Sequence, residues 1–289
     1  MEVFKNMDIS SFLPIAESIA GGAIGAGALK GPLKSLDDWW YYFFGSKTEL
    51  ARQKAELLNA QKLESYKTDI YNEVKNIPPE KLQQPKLDII GPALEASRYY
   101  IDAPELRKMF AKLVASSVDS RKETITRSAF VEFVKQMSPL DAKILSTFVS
   151  NSQSNKLPMV KINRKLANNN KIPLKSEVLS FELFSDINER TMIPSAIINL
   201  SRLGLVEVTY SEWLSQLDYT KIFSLTPEYD QCTKELQELK SQYQVFSNNG
   251  FLSNEQLEGL KTLANSSIEL DQGLLTLTSL GKDFTSLCL

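Results

Sequence analysis

The chain has no histidine, and its 289 residues include only two cysteines, Cys232 and Cys288. Without imidazole, Ser-His-Asp and Cys-His catalysis, HExxH metalloproteases and every zinc site with a His ligand are excluded. Two cysteines cannot frame a disulfide scaffold, and no N-terminal stretch reads as a signal peptide, so a reducing cytosol is expected. Neither sign of charge is in excess. Thirty-three Lys and Arg face 35 Asp and Glu, for a net charge of −2 and a pI of about 5.5. No global field therefore draws nucleic acid to the chain. A Gly-rich phosphate loop ending in GK[ST] is missing, as is the acid, acid-x-lysine strand pattern of magnesium nucleases. Long hydrophobic runs are missing too. Ile19 to Leu29 is uncharged for eleven residues, whereas a spanning helix needs about 20. Extending it forward brings in Lys30 and Lys34, each costing about 2.5 to 3.5 kcal/mol at a helix centre. A constitutive transmembrane helix is not expected.

What is present is globular composition, with 43% hydrophobic and 24% charged residues, which excludes disorder across the whole chain. The first 45 residues stand apart, holding six of the twelve glycines and an aromatic block from Trp39 to Phe44. Gly21 with Gly25 and Gly27 with Gly31 would place small residues on one helix face and allow close helix approach. The aromatics, Trp39 and Trp40 first among them, suit a membrane interface. The alternative is a flexible leader whose aromatics pack on the body of the protein. Glycine and alanine make the stretch weakly stable alone, hence switchable on assembly or lipid contact.

From Ser46 to Ile77, Leu50, Leu57, Leu63, Tyr66, Ile70, Val74 and Ile77 recur at helical spacing until Pro78-Pro79 stops the run. Gly91-Pro92 then opens a short helix through Tyr100. Asp102 with Glu105 reads as an N-cap arrangement for a helix carrying Leu106, Met109, Phe110, Leu113 and Val114. Another helix follows with Phe130, Phe133, Val134 and Met137. Ser138-Pro139-Leu140-Asp141 combines a capping serine, proline at the first helical position and an acid at the third.

The C-terminal half is mixed. Asn151 to Asn155 reads as a loop. A helix over Pro194 to Leu203 ends at Gly204 as a left-handed C-cap, and Leu205 to Tyr210 alternates as a strand. Leu274 to Thr278 is a second strand, followed by a helix from Ser279 to Leu287. Helix, tight turn and two strands resemble a winged helix. An insertion at about 211–272 separates the strands, with helices capped by Thr226-Pro227 and by Ser253 with Gln256.

Carboxylates are the remaining acid/base material: Asp37, Asp38, Glu95, Asp102, Glu105 and Asp141. Caps and ion pairs such as Glu95–Arg98, Arg98–Asp102 and Glu132–Lys135 account for most of them, so catalysis is not favoured. Lys156 to Lys175 holds six bases and no acid. Lys161, Arg164, Lys165 and Lys171 could hold phosphates beside a winged helix. The plainer reading is a solvated connector through Asn168-Asn169-Asn170. Arg202 is the sole base of the would-be recognition helix, which weighs against DNA reading.

Three runs carry a family resemblance. Gly91-Pro92-Ala93-Leu94-Glu95-Ala96-x-Arg98-Tyr99 comes first, then Glu105-Leu106-Arg107-x-Met109-Phe110. The third is Phe130-Val131-Glu132, continuing to Ser138-Pro139-Leu140-Asp141. Together they resemble the Abi-alpha (abortive infection alpha) family, bacterial proteins linked to defence against phage. The likeness is specific over Ile77 to Leu145 and weaker at Leu203-Gly204-Leu205-Val206 and at Leu277-Thr278-x-Leu280-Gly281. Before Phe130 the family tends to carry His-Pro-Ser, whereas this chain has Arg127-Ser128-Ala129, so no role resting on that histidine carries over. The resemblance implies a mostly helical fold and bacterial defence in the cytoplasm or at the membrane periphery. It implies no catalytic residues.

The expectation is a mainly α protein in three parts: a leader over 1–45, a helical core over 46–150, and a winged-helix-like α+β domain over 151–289. Neither cofactor nor metal is expected. The expected partners are a protein or further copies of the chain, with peripheral membrane contact and with nucleic acid less favoured. The leading function is an antiphage abortive-infection factor that acts by binding, its leader the membrane-active element. The rivals are a winged-helix nucleic-acid regulator and, last, a metal-dependent hydrolase using Glu95 and Asp141.

Overall fold

The computed structural model describes residues 62, 64–84, 86–150, 155–180, 182, 184, 187–249 and 252–289. The leader, with Gly21, Gly25, Gly27, Gly31, Trp39 and Trp40, lies outside the described residues, as does most of the helix expected from Ser46. The remainder of that helix, α1, runs over 64–74 and buries Tyr66 and Ile70, the positions its period assigned to the inner face. Among the described residues the chain is mostly helical, with one small antiparallel sheet towards its C-terminus.

Contacts divide it into two compact units, one ending at Ala142 and taking in Asp283–Leu289, the other running from Lys143 to Lys282. In the first unit α2 (Leu87–Tyr100), α3 (Pro104–Ser117) and α4 (Ala129–Lys135) surround a core that includes Ile89, Leu106, Met109, Phe110, Leu113 and Phe130. Phe284 from the C-terminal segment meets Phe130 edge-on, with ring centroids 5.3 Å apart. α5 (Pro139–Ser150) starts as its sequence indicates. The Asp141 N–H donates to Ser138 Oγ at 3.2 Å, and the Ser138 N–H donates to Asp141 Oδ2 at 2.6 Å. Two donors that the helix leaves open are satisfied reciprocally.

Two prolines behave differently from expectation. Pro92 and Pro194 lie inside helices that begin at Leu87 and Ile187 rather than opening them. An interior proline costs about 3 kcal/mol, but the extra turn in α2 buries Ile89 and Ile90. Each such side chain returns about 1.5 to 3 kcal/mol. Burial therefore outweighs the lost hydrogen bond. Asp102 does not cap α3 either. Ala103 holds the N-cap position without a side-chain bond, and Asp102 pairs with Lys62 at 2.5 Å.

The second unit is built on a sheet of order β2-β1-β4-β3. Its strands are β1 (Lys156–Lys165), β2 (Lys171–Leu179), β3 (Val206–Thr209) and β4 (Ser267–Leu277). β1 and β2 occupy the segment that could have been a solvated connector. Asn169, at φ 66°, turns the hairpin between them. Leu157, Met159, Val160 and Ile162 are buried, and this apolar content within a lysine-rich run is what makes it a strand. Between β3 and β4 come α7 (Tyr219–Phe223), α8 (Pro227–Asn249) and α9 (Asn254–Ala264). α9 starts on the expected box of Ser253 and Gln256. Val160, Ile162 and Val178 pack with Tyr219, Phe223 and Cys232 on the helical side of the sheet.

α6 (Ile187–Arg202) ends at Gly204, at φ +72°, and β4 leads into α10 (Ser279–Cys288). These two turns interlock. Thr278 donates its N–H to Leu205 O at 3.0 Å and its hydroxyl to Gly204 O at 2.6 Å. The Gly281 N–H in turn donates to Thr278 Oγ1 at 2.9 Å. Gly281 has no room for a side chain, because a Cβ there would collide with the Leu205 carbonyl. Gly281→Ala should therefore lower stability by about 3 kcal/mol, the upper range for overpacking. Urea unfolding of the two proteins, followed by circular dichroism, measures the difference.

Candidate functional site

The polar face of the sheet holds three of the six bases, Lys161, Lys165 and Lys171. Lys165 pairs with Glu269 at 2.8 Å, and Lys171 reaches both Glu269 and Asp271 at 2.6 Å. The Asn163 amide donates to Asp271 at 2.8 Å. These acids hold the Lys171 ammonium above its ordinary pKa, and the two lysines hold the Glu269 carboxyl below its own. Lys161 lies 4.4 Å from the centre of the Tyr210 ring, a cation–π contact. The three lysines thus already face acids or an aromatic ring supplied from later in the chain. Arg164 is the exception. Its Nε is buried with no hydrogen-bond partner.

Tyr210 follows β3 yet reaches the opposite edge strand. It passes β4 at Gly273, where a Cβ would lie 2.7 Å from its ring, and then Lys161 of β1. Its hydroxyl accepts the Glu177 N–H of β2 at 3.2 Å. That N–H is open because β2 bulges here: Val160 pairs with Val178 and Ile162 with Lys175, which leaves Ser176 and Glu177 opposite Lys161. Glu177 takes φ +51°, a left-handed conformation uncommon for a residue other than glycine. Burial pushes its carboxyl up, against the pull of Lys161 and Tyr210. Burial likewise pushes the Tyr210 hydroxyl up to about 12.

The bulge also forms one wall of a cavity of about 310 Å³, closed by α6 and by the first turn of α8. Arg190 forms part of its floor with a side chain 2% exposed. Its Nε and Nη2 clasp the Glu228 carboxylate at 2.6 to 3.1 Å, and its Nη groups also donate to the Leu179 and Phe184 carbonyls at 2.9 and 2.7 Å. The guanidinium is therefore a tie between α6, β2 and α8. Its hydrogen-bonding capacity is largely used within the fold.

The family-motif residues are elsewhere. Gly91, Pro92, Glu95, Arg98 and Tyr99 lie along α2, with Tyr99 70% exposed. Phe110 and Phe130 are fully buried. Arg107 of α3 donates to Asp69 of α1 at 2.7 Å, and Glu132 pairs with Lys135 at 2.9 Å. Ser138, Pro139 and Asp141 make the cap of α5. These contacts support helix packing. The two weaker motifs are the ones that meet through Thr278.

The model of the abortive infection alpha family matches residues 58–288. The chain belongs to this family. No curated protein and no solved structure matches it. The match covers both units and every strand of the sheet, and the residues lining the cavity fall within it. Among the described residues, no group of three or more His, Cys, Asp or Glu side chains is placed to hold a metal ion. No helix among them is long and apolar enough to cross a membrane.

Arg190, Glu177 and Tyr210 escaped the sequence reading, and Lys175 stood there only as one base among six. A lone arginine near a helix start carries no signal of burial, and a bulge without glycine leaves no mark. Arg190→Met should cost about 3 to 5 kcal/mol by stranding a mostly buried carboxylate. Adding Glu228→Met should recover part of that loss, as read from unfolding midpoints. A raised carboxyl pKa gives stability that is present at low pH and lost as pH rises through the folded value. Glu177→Gln should therefore gain thermal stability relative to the parent as the pH rises above about 4.3, the ordinary glutamate value. Melting curves across that rise test the sign.

Proposed function

We propose that this member of the abortive infection alpha family is an antiphage factor that acts by binding and assembly, in the cytoplasm or at the inner membrane. The family match over residues 58–288 supports the antiphage part of that reading. We read α6, the Gly204 turn and β3, paired with β4 beyond three intervening helices, as a winged-helix-like protein-contact module. The pairing of Lys165 and Lys171 with Glu269 and Asp271 supports protein over nucleic acid as the partner, because phosphates would have to displace those acids. The leader over 1–45 is assigned the membrane-active step on the strength of its small-residue spacing and aromatic block.

Bacteria expressing the full chain or the chain lacking residues 1–45 are challenged with a phage panel, with survival and membrane potential recorded together. The expected result is protection with early depolarisation by the full chain and neither by the shortened one. Protection with membranes intact would remove the membrane step. Absence of protection against every phage would remove the defence reading for this chain.

A further inference from the structure

The cavity beside the β2 bulge has features that the fold does not use. At about 310 Å³ it lies at the small end of the ligand-site range, roughly 300 to 1,000 Å³. Its wall combines apolar surface from Val178, Ile193 and Pro194 with polar groups from Lys175, Ser176 and Gln231.

The charges at this wall are unequal in their commitments. Arg190 and Glu228 neutralise one another within the fold. Lys175 has no ion-pair partner among the described residues, and neither does Arg164 on the adjacent strand. Both cations act on the Cys232 thiol, next in sequence to Gln231 of the wall, and Glu235 and Glu228 act on it in the opposite sense. Glu177 lines the same wall, but among the described residues no carboxylate pairs directly with Lys175. Elsewhere on the same sheet, Lys165 and Lys171 each have an acid within 2.8 Å. A lysine left without one beside a cavity is a ready anchor for a negative group from outside.

We propose that this cavity binds a small organic anion, with its carboxylate or phosphate on Lys175 and its apolar body against Ile193 and Pro194. Arg190 positions the site by fixing β2 to α6 and α8 and does not touch the ligand. The inference does not rest on phage defence. A protein that binds such an anion but fails to protect bacteria would keep this site and lose the defence reading.

The test is calorimetric titration of the purified full chain in low-salt buffer free of phosphate and carboxylate. Adenosine 5′-monophosphate and phenylacetate are the two anionic probes, with adenosine and phenylacetamide as neutral counterparts. Saturable binding of either anion, without binding of its counterpart, supports the site, and which one binds separates phosphate from carboxylate. Lys175→Gln should weaken that binding about tenfold, the scale of one charge-assisted hydrogen bond. Lys175→Arg keeps the charge and should retain the binding. The site is overturned if neither anion saturates at millimolar concentration, if the neutral counterparts bind equally well, or if Lys175→Gln binds like the parent.

Discussion

One threonine holds the second unit together. The Thr278 side chain donates to the carbonyl left by the end of α6 and accepts an amide at the start of α10, while its backbone N–H bonds Leu205. A helix C-terminus presents bare carbonyls and a helix N-terminus bare amides, so a hydroxyl between them serves both. The arrangement requires a left-handed residue at 204 and a residue without Cβ at 281. It meets both requirements with glycine. β3 and β4 pair from Val206 and Leu277 outward, starting where this junction fixes them. That register pairs Thr209 with Leu274, and Tyr210 follows next in the chain.

Local signals were legible where one short window contained both partners. Ser138 with Asp141, Ser253 with Gln256, and Gly204 after α6 are reciprocal or single-residue devices, and each is realised. The period of Tyr66 and Ile70 was legible for the same reason. The family resemblance was carried by residues that prove to be helix contacts and caps. What stayed hidden depends on partners far along the chain. The six bases between Lys156 and Lys175 have no acid among them, and the acids that answer Lys165 and Lys171 are Glu269 and Asp271 on β4. Only the fold brings the two together. Pro92 and Pro194 misled because proline announces a helix start in the absence of a burial gain large enough to override it.

The candidate site was less legible than the fold. Lys175 could be seen as a base but not as the one set beside a cavity. The left-handed Glu177 sits where no glycine or asparagine advertises it. Arg190 differs from an exposed arginine only through Glu228 and the carbonyls of residues before it.

The two outer strands of the sheet have a consequence for how copies of this chain can meet. β3 is four residues long, and β2 carries Pro173, two lysines and the bulge at Glu177. Proline removes a donor from the rim, charge repels a like neighbour, and a bulge breaks the regular spacing a further strand would have to match. The sheet is thus closed to growth by strand addition. Assembly through this sheet would therefore be specified by side chains, which can set the number of copies, rather than by backbone pairing, which sets no such limit.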